Sequence, residues 1–137
     1  MSDPQHPYSD AVVANGLVFV SGSLPLDADG AVVPGGRAAM DAAMEQLKQR
    51  MATVGVGLAD VVKLTYFVTD MALRDLANEQ FIELWAEPRP ARTVVGVAEL
   101  PRGVVVEIDA VAKVSDDRSA SSAIVSDDRS ASSAIVP

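Results

Sequence analysis

From Val104 to Val114 the chain alternates without a break. Val104, Val106, Ile108, Ala110 and Ala112 fall on one side, and Val105, Glu107, Asp109, Val111 and Lys113 on the other. Side chains of an extended strand point to opposite faces in turn, so this pattern predicts a strand buried on one face and mixed on the other. A sheet built on it needs an apolar cover on one side only. Two segments can supply that cover. Met40, Met44, Leu47, Met51 and Val54 recur at helical spacing between Arg37 and Thr53, and Gly55 and Gly57 stop the run. Leu73, Leu76, Ala77, Phe81, Leu84 and Trp85 form a second apolar face, capped by Thr69 or Asp70 and ended by Pro88 and Pro90.

Further strands complete the sheet. Ala11–Ala14 and Leu17–Val20 flank Asn15-Gly16, a two-residue hairpin signal. Gly22 interrupts the second of these strands and marks a bulge or the close approach of a ligand to the backbone. Asp27 to Gly36 is a turn-rich loop. Val61–Thr69 alternates, with Val62, Leu64, Tyr66 and Val68 on one side and Val61, Lys63, Thr65 and Phe67 on the other. Thr93–Val97 is a fourth strand. The order β-β-α-β-α-β-β predicts an α+β domain over residues 1–114 with both helices packed on one face. The other face carries Val and Phe side chains, and further copies of the chain are expected to cover it. Residues 115–137 differ: Ser115–Val125 is repeated unchanged as Ser126–Val136, a Ser- and Asp-rich tail expected to be disordered or an added feature.

Composition excludes several functions. Net charge is −8, and a surface of that sign repels nucleic acid phosphates and anionic membranes. There is no cysteine, hence no thiol nucleophile or thiolate metal site. The single histidine, His6, lies near a terminus and cannot build a multi-histidine metal centre. No metal or other cofactor is expected. The N-terminus lacks a signal-like apolar run and no stretch reaches transmembrane length, so a cytoplasmic setting is expected.

Two charges stand in costly places. Arg92 opens an apolar strand and Glu107 lies within the next one. A buried guanidinium needs an anion and pairs bidentately with a carboxylate. A glutamate within its reach can handle a water or a proton. Thr93, beside Arg92, offers a hydroxyl to the same ligand. Together these residues suggest a metal-free site for a small organic acid. Arg92 and Glu107 are equally consistent with a structural ion pair.

Several motifs now stand together: Pro7-Tyr8-Ser9, Ser21-Gly22, Val61–Thr65 leading to Phe67–Met71, Pro90-Ala91-Arg92-Thr93, Leu100-Pro101-Arg102-Gly103 and Val106–Ala112. Over residues 7–114 the chain resembles the Rid family of reactive intermediate deaminases, also called RidA/YjgF. The resemblance implies a chorismate-mutase-like fold, with a mixed sheet and two helices on one face. It also implies a homotrimer with a central barrel of sheets and clefts between subunits. Active members hydrolyse enamine and imine intermediates, such as 2-iminopropanoate or 2-iminobutanoate, to a 2-oxo acid and ammonia without a cofactor. By motif, Arg92 matches the arginine that grips the substrate carboxylate and Glu107 the acid that positions water. Tyr8 matches a tyrosine near the pocket, Gly22 lies in the loop approaching the ligand, and the Val94 backbone matches a substrate contact. Ser23, Arg89, Val94 and Gly96 depart from residues common in the family. A non-catalytic trimer binding small carboxylates or acting as a regulator, or a narrower hydrolase on the same pocket, are the alternatives.

Overall fold

The computed structural model describes residues 6–115, and the duplicated tail beyond Ser115 lies outside them. Five strands form one mixed sheet: β1 (Ala11–Ala14), β2 (Leu17–Ser23), β3 (Val61–Val68), β4 (Ala91–Gly96) and β5 (Val106–Lys113), in spatial order β1-β2-β5-β3-β4. Two helices, α1 (Arg37–Ala52) and α2 (Arg74–Leu84), pack on one face. This is the predicted α+β architecture. Only β3 and β4 run parallel, joined through α2, while β5 is antiparallel to both its neighbours and lies at the centre.

Local chemistry explains most boundaries. Asn15 and Gly16 take φ of 54° and 79°, the left-handed turn that closes β1 onto β2. The Asp70 carboxylate accepts from the Ala72 N–H and caps a 3-10 turn over Met71–Leu73, which leads into α2. The strand Thr93–Val97 starts two residues earlier than the sequence predicts, at Ala91, where pairing with Lys63 of β3 begins. The last strand starts later, at Val106, because Pro101–Gly103 forms a 3-10 turn.

The core combines Met40, Met44, Leu47 and Met51 of α1 with Leu64, Tyr66, Val106, Ile108 and Ala110 of the sheet. Four side chains, at two places, depart from the sequence reading. Val61 is buried and Val62 is 40% exposed, the reverse of a strict alternation. The β3–β5 register slips between Val61 and Lys63, so one residue is looped out and the parity changes. On α2, Leu84 faces outward and Gln80 goes in, 1% exposed. Gln80 is buried because every polar group it carries is bonded. It accepts from Tyr66 Oη at 2.8 Å and donates to the Met40 carbonyl at 3.1 Å and to Asp41 Oδ1 at 2.9 Å. Among the described residues no helix is long and apolar enough to cross a membrane.

Candidate active site

Glu107 occupies the sheet face away from the helices, opposite Phe67 in the β3–β5 register. Beside it β2 bulges between Val20 and Ser23, and Gly22 lies against the carboxylate. A Cβ at Gly22 would fall on Glu107 Oε2, so any other residue there would push the carboxylate from this position. Burial pushes the Glu107 pKa up, the neighbouring Asp109 adds to the rise, and the more distant Arg50 opposes it. Burial also raises Asp109, opposed by Lys63 and by a hydrogen bond from Thr65. The repulsion foreseen from the spacing of these two acids is present but secondary to desolvation.

The N-terminal segment closes on the same end of the sheet. Ser21 Oγ donates to the Ser9 carbonyl at 2.6 Å, and Ser21 N–H to the Asp10 carbonyl at 3.0 Å. Tyr8 stacks on His6 with centroids 4.1 Å apart, and the Arg50 guanidinium lies 5.4 Å from the Tyr8 ring. Arg50 also bonds Asp10 at 3.0 Å. His6 is therefore held in a cluster, although its sequence position reads as a mere terminus. A cleft of about 230 Å³ is lined here by His6, Tyr8, Asp10, Arg50 and Arg102 among others. Arg102 adopts φ 60°, ψ 16°, a left-handed conformation unusual for a residue with a side chain.

Arg92 lies elsewhere. It pairs in parallel register with Leu64, whose side chain is fully buried on the helix side. Its guanidinium therefore projects towards α2 and sits 5.0 Å from the Phe81 ring centroid and 5.7 Å from that of Tyr66. Burial lowers its pKa, Tyr66 opposes the shift, and the like charge of Arg74 adds to it. Arg37 takes Asp41 and Glu83 as carboxylate partners, and Arg89 takes Glu87. No ion pair to Arg92 occurs among the described residues. It remains cationic at neutral pH and receptive to an anion.

The register thus divides the predicted site. Arg92 and Val94 share the helix face with Leu64 and Tyr66, whereas Glu107 and Thr93 share the open face with Phe67 and Thr65. Within one chain Tyr8, Gly22 and Glu107 gather at one end, and Arg92 is not brought to them. Thr93 accepts a hydrogen bond from Lys63 Nζ at 2.9 Å. Lys63 also reaches Thr65 Oγ1 at 3.4 Å, extending a polar row from Thr93 to Asp109. Sequence reasoning missed Arg50, Tyr66, Phe81 and Gln80. The signal for Tyr66 and Gln80 was a hydroxyl and an amide on two otherwise apolar faces, which imply a mutual bond. Nothing in the sequence marks Arg50. Among the described residues no group of three or more His, Asp and Glu is placed to hold a metal ion.

Comparison with known proteins gives a consistent result. The model of the Endoribonuclease L-PSP family matches residues 2–114. The 3-aminoacrylate deaminase RutC of Acinetobacter baylyi is 36% identical over 113 residues, covering 81% of this chain and 90% of the relative. The 2-iminobutanoate/2-iminopropanoate deaminase of Bos taurus is 34% identical over 108 residues, covering 77% and 79%. The crystal structure of RidA from an Antarctic Psychrobacter superposes with a TM-score of 0.76 at 35% identity, covering 81% of this chain and 91% of the other. A family match across the whole described body, carried by the same fold, means that this chain belongs to the RidA/YjgF family.

Proposed function

We propose that this protein hydrolyses reactive 2-imino acids, with 2-iminobutanoate and 2-iminopropanoate as representative substrates, to 2-oxo acids and ammonia. The observation that carries the reading is the pair of half-sites: a guanidinium without a carboxylate of its own, and a half-buried glutamate facing a glycine. They lie on opposite faces of one sheet, so a complete site needs two chains. We therefore infer that Arg92 of one chain meets Glu107, Gly22 and Tyr8 of the next in a homotrimer, with Val94 lending backbone contacts. The apolar open face, with Phe19 46% exposed, supports such an assembly. The deaminase names of the bovine and Acinetobacter relatives support the chemistry. The setting proposed is the cytoplasm.

In this reading Arg92 binds the substrate carboxylate bidentately and fixes the imine carbon in place. Glu107, ionised, takes a proton from a water as its oxygen bonds to that carbon, giving a carbinolamine. With the imine protonated at the outset, Glu107 hands the water's proton to the carbinolamine nitrogen, the C–N bond breaks with its electron pair leaving on ammonia, and the hydroxyl gives its own proton to Glu107 as its oxygen becomes the 2-oxo carbonyl. The imine carbon is already electrophilic, so positioning and one proton relay suffice. Neither step calls for a cofactor. The net charge of −8 disfavours the alternative that the family description names, cleavage of RNA.

The test is ammonia release from 2-iminobutanoate generated in situ by an amino-acid oxidase, with semicarbazide trapping the remainder. Wild type should accelerate release and Arg92→Ala should not. No acceleration by an assembled wild type would move the weight to a narrower substrate or to carboxylate binding without turnover.

A further inference from the structure

We propose that Tyr66 and Phe81 are positioning residues for Arg92, holding its guanidinium over two ring faces with the N–H edges free for a carboxylate. The proposal rests on the carboxylate-clamp reading of Arg92 above. An arginine without an ion pair would otherwise sample many rotamers, and binding an anion would have to freeze them. Here the cation lies 5.0 Å from the Phe81 centroid and 5.7 Å from that of Tyr66. Both distances fall within cation–π reach, and ring contacts leave a guanidinium's in-plane donors open.

Each ring is itself anchored. Tyr66 is fully buried, and its hydroxyl is held by Gln80, which α1 holds in turn through the Met40 carbonyl and Asp41. Phe81 packs on Trp85 with centroids 5.2 Å apart, and Trp85 Nε1 donates to the Leu58 carbonyl at 2.8 Å. The platform is thus tied to α1 on one side and to the turn before β3 on the other. Neither ring can swing aside without breaking a buried hydrogen bond or a core contact. The nearby like charge of Arg74 raises the demand for an anion at the same place.

The test uses Phe81→Leu and Tyr66→Leu, which keep apolar bulk and remove the ring, and Tyr66→Phe, which keeps the ring and removes the bond to Gln80. One readout needs no substrate: the NMR shift of the Arg92 δ-protons, moved upfield by ring currents in wild type. The others are KM and kcat for 2-iminobutanoate and the affinity for 2-oxobutanoate. The Leu variants should lose the upfield shift, raise KM roughly five- to tenfold and keep kcat within about twofold. Tyr66→Phe should melt lower yet keep wild-type KM, which separates positioning from stability. The proposal is overturned if the Leu variants lose the shift but keep KM and product affinity, or if Tyr66→Phe raises KM equally. If wild type does not hydrolyse imines, the deaminase reading falls separately. The positioning role is then decided by 2-oxobutanoate affinity, and either unchanged affinity in the Leu variants or no binding by wild type overturns it.

Discussion

Glu107 sits in a central strand at the one place where the neighbouring strand offers no side chain. That arrangement has a thermodynamic sign. Burial raises its pKa, so the folded chain holds this proton more tightly than the unfolded chain does. Its contribution to stability is full below the ordinary carboxylate range and is lost as pH rises through the folded value. Glu107→Gln should therefore melt above wild type at neutral pH, with the difference closing towards about pH 4. Imine hydrolysis should fall by about a hundredfold or more in the same variant. Melting curves across pH beside the ammonia assay check both halves, and a difference that stayed constant with pH would contradict the linkage. The importance of Gly22 and Glu107 was legible in the sequence, because a glycine inside a strand and a glutamate in an apolar run both break a local rule. Their contact with each other was not, since it depends on the β2–β5 register.

At the scale of elements, patterning located every strand and helix, and turn chemistry located the hairpin at Asn15-Gly16. Packing decided what patterning left open. Val62 reads as a core residue until the slip in the β3–β5 pairing reverses its face. Gln80 reads as surface until the buried Tyr66 hydroxyl requires an acceptor there. This amide joins α2 to α1 and to β3, so its loss should be felt as undocking of α2. Gln80→Leu leaves the Tyr66 hydroxyl unpartnered and takes a donor from the Met40 carbonyl and Asp41, and should destabilise by roughly 1–3 kcal/mol. Adding Tyr66→Phe removes that orphan and should recover part of the loss, a non-additivity that a double-mutant cycle from denaturant unfolding measures. Strict additivity would mean that the two groups do not communicate.

The largest feature that the sequence hid is that Arg92 and Glu107, the residues expected to form one site, lie on opposite faces of the sheet. Arg92 and Glu107 each read correctly as a charge out of place, but period-two alternation alone does not say which face each takes in the assembled sheet. If neighbouring chains complete the site, two inactive variants should rescue each other. Arg92→Ala and Glu107→Ala, mixed and re-equilibrated at equal concentration, should regain about one quarter of wild-type activity. That is the fraction of interfaces that pair an intact arginine with an intact glutamate. Sedimentation should show one assembled species throughout, and a mixture that stays inactive would place both residues in sites of a single chain.

If the proposed site is shared between chains, a sheet that carries half of it on each face makes every chain both a lender and a borrower. A copy lacking Arg92 and Glu107 together, yet still able to assemble, would spoil both of the sites it shares with intact neighbours. Co-expressed with wild type it would behave as a poison subunit, suppressing activity beyond its share of the protein. Dilution would act in the same direction. As chains part company, the rate per chain would fall faster than the concentration, so the amount of protein in the cell would itself set whether each copy works.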